Sequence, residues 1–419
     1  MKLHQFQLDG LERVKKHNKV AFYWEMGTGK TFVGAEKMVS LGTRKNLVVC
    51  QKSKIADWIE HFTDNYHEMN VFDLTKSSDF NDFISVKNSV KNEVGVINYD
   101  LIFRRAELLK LTDFSLMLDE SSMIQNDTTK RTKAILKLKA DNIVLLSGTP
   151  IGGKYENLYS QLRLLGWKLT KREYWDNYIN WKLVQYGAFS PMIPKIIGYK
   201  NIDKLRQILH FYGADFLRSD EVFELPQQNF NIVSVPTSRE YKHFRSEKYI
   251  QICDTEFIGD TPLKTMLYAR MLCGAYNKDK INAFVDLCDS TDDRLIVFYN
   301  FNNELSALKK AIGNRPYSVV NGSEKDLSNY ESVDNSITFI QYQAGAMGLN
   351  LQKANKIIYF TLPLSSELFE QSKKRIHRIS QNRPCFYYTL ICEKSIEAKI
   401  AETLETRNDY TQKLFDKDF

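Results

Sequence analysis

The chain has 419 residues, 43% of them hydrophobic and 26% charged, with a formal charge of +7 and a pI near 8.8. That length exceeds what one core usually organises, and the composition suits a chain that buries a large interior, which excludes a single small domain and a disordered polyelectrolyte. The positive balance suits an anionic partner but is also common in proteins that bind nothing acidic, so charge alone leaves the partner open.

The amino-terminal MKLHQFQLDG lacks the apolar run of a secretion signal, and no apolar stretch is long enough to span a bilayer, so the expectation is a cytoplasmic chain with no membrane partner. The first apolar run, Val20 to Trp24, reads as a strand buried on both faces. It leads into WEMGTGKT, residues Trp24 to Thr31, and then into the helical pattern FVGAEKMVSLG. Strand, glycine loop and helix is the context that a phosphate-binding loop requires. Gly27 and Gly29, with Thr28 between them, let the backbone turn its amides toward phosphate; Lys30 reaches the outer phosphates; Thr31 can ligate magnesium. Trp24 stands where the general pattern has its first glycine, so only the GKT half is met, and a chance GTGKT loop is the competing reading.

Further strands are expected at Asn46 to Cys50, Phe114 to Leu118 and Ile143 to Leu146. The second of these ends in Asp119 and Glu120. At the carboxyl edge of a parallel sheet the first carboxylate can hold magnesium and the second can orient or deprotonate an attacking water. A solvated acidic turn would win in isolation; it loses because a phosphate loop follows a strand of the same sheet.

From about Tyr155 to Leu217 the pattern turns helical and aromatic, with Tyr174, Tyr178 and Trp181 spaced either for a helical core or for stacking on nucleic acid. LPQQNFNIVSVP, bracketed by Pro226 and Pro236, reads as a linker or domain crossing. A second series of strands follows at Leu295 to Tyr299, Ile337 to Tyr342, Lys356 to Thr361 and Phe386 to Ile391. The repeated alternation predicts an α/β chain: a parallel-sheet lobe over 1–160, a helical appendage over 161–225, a linker and helical lead-in over 226–290, and a second parallel-sheet lobe over 291–419, with a cleft between the lobes. In QSKKRIHRISQ, Arg375 and Arg378 are three apart and expected on one helical face, where both could bring positive charge to a transferring phosphoryl group; a basic solvated helix or a phosphate-backbone contact is the alternative. Six cysteines, Cys50, Cys253, Cys273, Cys288, Cys385 and Cys392, lack zinc-ligand spacing and read as buried free thiols.

In this order the strings resemble the motifs of the Swi/Snf-like branch of superfamily 2 helicases over nearly the whole chain. LHQFQLDGL resembles that family's glutamine motif, which would make Gln7 the adenine reader, and EMGTGKT resembles motif I. NLVVCQKSKIADWIEHF resembles motif Ia followed by a W-x-x-E-x-x-F pattern at shifted spacing around Trp58, and Asp119 with Glu120 matches motif II. LLSGTPI resembles motif III, whose Ser147 and Thr149 would link hydrolysis to lobe movement. IVFYNF resembles motif IV, QAGAMGLNLQ motif V with Gly348 at the nucleotide, and QSKKRIHRISQ motif VI, which Gln381 completes as a coupling residue. DESS, Gly153 and Leu362 to Leu364 depart from the family pattern without removing a catalytic group.

The resemblance implies two RecA-like lobes, ATP with Mg2+, and a motor that translocates on nucleic acid, with duplex DNA favoured over single strands. A strand-separating DNA or RNA helicase and an ATP-switched clamp are the alternatives. It nominates Lys52, Ser53, Asn98, Asn300, Gln343 and Ala344 for the nucleic-acid backbone, and leaves Tyr99 and Tyr342 either stacked on bases or packed at a sheet rim. A motor with little beyond its lobes resembles those of bacteriophages and mobile elements, which implies a bacterial or phage-infected cell and a protein partner in replication, recombination or repair.

Overall fold

The computed structural model describes residues 2–85, 91–185, 190–345 and 349–415. The chain divides into two units, residues 1–222 with 409–419, and residues 223–408. In the first, α1 (Gln5–Arg13) precedes β1 (Lys19–Trp24), α2 (Lys30–Ser40), β2 (Lys45–Cys50), α3 (Ile55–Asn65), β3 (Met69–Asp73), β4 (Asn92–Asn98), β5 (Phe114–Asp119) and β6 (Asn142–Leu146). A hairpin of β7 (Ile179–Val184) and β8 (Ile193–Tyr199) follows, and then β9 (Ala214–Leu217). The sheet order is β3-β4-β2-β5-β6-β1-β9, parallel throughout. Its central strands are buried almost end to end, because helices cover both faces, and they therefore read as unbroken Val, Ile and Leu runs rather than as alternating ones.

Each fully buried Leu, Ile or Val contributes roughly 1.5–3 kcal/mol, so the central strands anchor the loops that leave them. Because β5, β6 and β1 are neighbours, the segments after Asp119, Leu146 and Trp24 emerge side by side at one edge. α2 lies close on this part of the sheet: a Cβ on Gly34 would stand 2.7 Å from Leu146 and 3.2 Å from the Met117 sulfur.

The segment expected as a helical appendage is mixed. Helices Tyr159–Leu164, Lys171–Tyr178 and Ile202–Phe211 are present, the second opened by a capping box between Thr170 and Glu173. Between them the β7–β8 hairpin is a separate two-stranded sheet, and β9 joins the main sheet beside β1. Tyr174 and Tyr178 are buried in the core with Trp167, whereas Trp181, on β7, is exposed. The helical spacing therefore holds only up to Tyr178, where the period changes from helix to strand. The last helix, Ile396–Phe415, brings Tyr410 into the first unit's core against Tyr155 and Tyr199.

The second unit contains β10 (Gln228–Val235), a hairpin of β11 (Tyr249–Ile252) and β12 (Thr255–Ile258), then β13 (Leu295–Tyr299), β14 (Tyr317–Val320), β15 (Lys325–Asp326), β16 (Ile337–Gln341), β17 (Lys356–Tyr359) and β18 (Cys385–Cys392). Its main sheet runs β10-β18-β17-β13-β16-β14-β15, parallel except for β15. The expected linker is thus β10, an edge strand paired with β18 along all eight residues. Its mixture of polar and apolar residues is that of a half-exposed edge, with Phe230 and Ile232 outward, and not of a tether. The second unit begins at Phe223, three residues before Pro226.

Candidate active site

β1 ends at the buried Trp24, and the chain then reverses through a loop in which Gly27 and Gly29 take φ of +87° and +75°. Such angles strain any residue with a Cβ. At Gly29 a Cβ would also overlap the Gln7 side-chain amide. That amide is held at both ends: its oxygen accepts from the His4 N–H at 2.9 Å and its nitrogen donates to the Thr28 carbonyl at 3.1 Å. Gln7 is buried and bears directly on the glycine loop. Lys30 opens α2 and folds back over the loop, donating to the Trp24 carbonyl at 2.8 Å and the Glu25 carbonyl at 3.0 Å. Thr31 follows it in the first turn, where backbone N–H groups point along the axis toward any anion on the loop.

The departure at Trp24 has a structural use. The indole N–H donates to Asp215 on β9 at 2.7 Å, and Arg13 at the end of α1 grips the same carboxylate through two hydrogen bonds of 2.6 and 2.8 Å. Gly10 leaves room for the indole, since a Cβ there would overlap it. Gln7, Gly10 and Arg13 share one face of α1, and that face is keyed to the loop and to the strand beneath it.

Asp119 and Glu120 stand at the end of β5. Asp119 is partly buried and accepts the Trp58 indole N–H at 2.8 Å. Burial pushes its carboxyl up from the ordinary value, while the Trp58 hydrogen bond and the Lys30 charge pull it back. Glu120 takes φ of +56°, unusual for a residue with a side chain, and strain of this kind clusters at functional positions. Its carboxylate accepts from the Ser147 hydroxyl at 3.4 Å, and the same hydroxyl accepts the Thr149 N–H at 3.2 Å. A Cβ on Gly148 would lie 3.4 Å from the Lys30 ammonium, so the segment after β6 borders both the lysine and the acidic pair. The phosphate loop, the paired carboxylates and the Ser147 segment therefore meet at one edge of one sheet, an arrangement that can hold a polyphosphate and activate water against it.

Sequence reasoning missed Gln161. Fully buried, it accepts from Tyr23 of β1 at 3.0 Å and from Ser121 at 2.7 Å, and donates to the Pro150 carbonyl at 2.8 Å. One amide thus ties together the strand before the loop, the residue after Glu120 and the Ser147 segment. A lone amide in the apolar run YSQLRLLG was the available signal; its partners, 138 and 40 residues away for Tyr23 and Ser121, were invisible.

The residues nominated for nucleic acid fall in several settings. Lys52 and Asn98 line a cleft of about 1120 Å³ with Lys76 and Arg104, and Glu60, Asp64, Asp73 and Asp100 line it too. Ser53 is exposed. Tyr99 is buried, its hydroxyl donating to the Asp119 carbonyl at 2.9 Å, and Tyr342 is buried with its hydroxyl on the Thr361 carbonyl at 3.0 Å; both are packed at the sheet rim.

In the second unit Asn300 spends its amide nitrogen on Thr361 and on the Leu362 carbonyl, Ala344 is buried and Gln343 is exposed. Gln381 is buried, donating to the carbonyls of Gln352, Ala354 and Ile376 at 3.1, 2.8 and 3.4 Å. The expected helical face for the two arginines is not formed. The helix ends at Lys373, and Arg375 and Arg378 lie in the turns beyond it, where Gln381 and Asn350 take up the chain's polar groups in place of helical pairing. Arg375 is buried; Arg378 is partly so and hydrogen-bonds Asn350, and burial lowers its guanidinium from the ordinary value. Gly348 lies outside the described residues.

All six cysteines are free, five buried as expected and Cys253 exposed in the β11–β12 turn, where a positive φ of 49° turns the chain. Cys273 and Cys392, distant in sequence, meet beside Glu397, whose carboxylate is occupied by Lys280 at 2.7 Å and by the Cys392 N–H at 3.0 Å. Among the described residues, no helix is long and apolar enough to cross a membrane.

Residues 13–278 match the SNF2-related domain, and residues 279–380 the helicase conserved C-terminal domain. The chain belongs to the SNF2-related family. With the helicase conserved C-terminal domain following it, the chain has the domain order of a Swi/Snf-like superfamily 2 helicase. This SNF2-related chain is similar to an uncharacterized ATP-dependent helicase of Mycoplasma genitalium, at 21% identity over 94% of the chain and 40% of the relative. It is similar at the same identity to the SWI/SNF-related matrix-associated actin-dependent regulator of chromatin subfamily A-like protein 1 of Drosophila melanogaster, over 98% and 56%, and to the ISWI chromatin-remodeling complex ATPase ISW1 of Saccharomyces cerevisiae, over 96% and 39%. It thus spans 39–56% of the length of these relatives. The Sulfolobus solfataricus SWI2/SNF2 ATPase core in complex with dsDNA aligns over 98% of this chain and 92% of its own, with 17% identity and a TM-score of 0.47.

Proposed function

We propose that the chain hydrolyses ATP to drive translocation on duplex DNA. The observation that carries this reading is the convergence of Lys30, Asp119, Glu120 and Ser147 at one sheet edge. A protein using ATP only as a switch has no need of a second carboxylate beside the phosphate loop, which weighs against the clamp alternative. On binding, Lys30 exchanges the Trp24 and Glu25 carbonyls for phosphate oxygens, and the loop amides between Gly27 and Thr31 take up the rest of the phosphate charge. Gln7, already fixed against the loop, is assigned to the base.

Thr31 and Asp119 are a hydroxyl and a partly buried carboxylate, a hard-oxygen pair that fits magnesium. Magnesium held there supplies charge neutralisation at the phosphates. Glu120 orients the attacking water and accepts its proton. Ser147 touches both Glu120 and the Thr149 amide, so a change in the glutamate's charge passes directly to the loop after β6. Of the two arginines, Arg378 is assigned to the developing phosphoryl charge, and Arg375, buried, to holding the Leu351 amide through its carbonyl at 3.2 Å.

Duplex DNA is favoured because two of the relatives are named for chromatin. Steady-state ATP hydrolysis with duplex DNA, single-stranded DNA and RNA at fixed salt tests the reading. The expected outcome is strongest stimulation by duplex, with no strand displacement. Preference for single strands with displacement would replace translocation by unwinding, and no hydrolysis on any nucleic acid would return the clamp.

A further inference from the structure

The β7–β8 ribbon carries an unusual surface. Trp181, Leu183, Met192, Ile193 and Ile197, on or next to its two strands, are 41–61% exposed. Contiguous exposed apolar side chains of this kind mark an interaction surface. Its charge has one sign: from Asn177 to Ile202 the chain has no acidic residue, and Lys182, Lys195 and Lys200 are its only charges. The antiparallel register sets Lys182 directly opposite Lys195, both exposed, and no carboxylate among the described residues pairs with either.

Like charges facing each other across a strand pair destabilise it. An anion shared by the two ammonium groups turns that repulsion into attraction. Leu183, paired with Pro194, alternates to the opposite face from the lysines, while Val184 and Ile193 share the lysines' face. A two-stranded ribbon is an element that the major groove of B-DNA admits, and its phosphates supply such an anion.

We propose that the β7–β8 ribbon is a duplex-DNA contact in which Lys182 and Lys195 bind backbone phosphate. The proposal rests on the reading of this chain as a motor on DNA. The test is fluorescence anisotropy of a labelled duplex with the full chain, titrated from low to physiological salt, for wild type, Lys182→Ala/Lys195→Ala and Lys182→Arg/Lys195→Arg. Each phosphate contact adds about 0.9 to the slope of log affinity against log salt. The double alanine variant should bind more weakly with a slope shallower by about 1.8, the arginine variant should keep the wild-type slope, and ATP hydrolysis without DNA should be unchanged in both. A wild-type slope in the alanine variant overturns the proposal alone and leaves the ribbon to a protein partner. Absence of salt-dependent DNA binding by the wild type overturns it together with the motor reading.

Discussion

The two lobes share a seven-stranded, mostly parallel plan, but the polar groups at their carboxyl edges are used in opposite ways. In the first lobe, Lys30, Asp119 and Glu120 stay partly exposed at strand ends, held by a few bonds: two loop carbonyls, an indole, a serine hydroxyl. In the second, Asn300, Glu304 and Gln381 are turned inward onto backbone groups, Glu304 through one carboxylate oxygen. On the proposed reading the motif residues of the first lobe are reagents, and several of those in the second are scaffold. A reagent can be removed with the fold intact; a buried amide cannot, because its partners are left unpaired away from water.

The largest expected effect lies on the reagent side. Glu120→Gln should lower ATP turnover by about 10³-fold while ATP binding and the melting temperature stay near wild type, since the amide preserves shape and loses only the basic oxygen. Turnover by steady-state assay and melting by calorimetry read the two separately. A variant that melts well below wild type would place Glu120 with the scaffold and break the contrast between the lobes.

Next is the scaffold side. Gln381→Ala leaves three carbonyls and the Arg383 N–H without their partner, a loss of about 3–4 kcal/mol at the usual cost of unsatisfied buried groups. Urea unfolding should show it plainly. Gln343→Ala, at an exposed position, should stay within about 0.5 kcal/mol of wild type. If Gln381→Ala instead keeps its stability and loses only the link between DNA binding and hydrolysis, the coupling role implied by the family resemblance is the correct one.

This contrast also marks what could be read from the amino-acid sequence. Strands such as Leu295–Tyr299 and the loop after Trp24 were legible because burial on both faces, or a phosphate loop, leaves its own signature in a few consecutive residues. The edge strand β10 and the β7–β8 hairpin were not, since half-exposed strands mix polar and apolar residues and resemble linkers or short helices. At the site, Lys30, Asp119 and Glu120 were legible as local strings. Asp215, Gln161 and the inward turn of Asn300 were not, because each is defined by partners far along the chain.

A pH experiment sharpens the scaffold side further. Burial pushes the Glu304 carboxyl up to about 7, against the Asn300 and Phe301 amides that favour its charged form. A carboxyl raised in the folded state binds its proton more tightly there than when unfolded. Its stabilising contribution is thus present below the ordinary carboxyl range and is lost as pH rises through about 7. Over that window the second lobe should lose stability on the order of 3 kcal/mol at most. Glu304→Gln, which keeps the accepting oxygen but cannot ionise, should flatten the pH dependence of unfolding. An unchanged slope would mean that another group carries it.

The smallest effect tests whether the first lobe has scaffold of its own around its reagents. Arg13 grips Asp215 with two hydrogen bonds while the Trp24 indole adds a third, and this carboxylate ties α1 to the strand that leads into the phosphate loop. Arg13→Lys keeps the charge but replaces a rigid fork with a single flexible donor, which should cost about 1 kcal/mol because Arg13 is half exposed and Trp24 remains. Since the same helix face holds Gln7 against the Thr28 carbonyl, loosening α1 should raise the KM for ATP a few-fold and leave kcat alone. A fall in kcat with KM unchanged would show that α1 acts on the chemistry rather than on nucleotide binding, and the boundary between reagent and scaffold in the first lobe would have to be drawn through the helix itself.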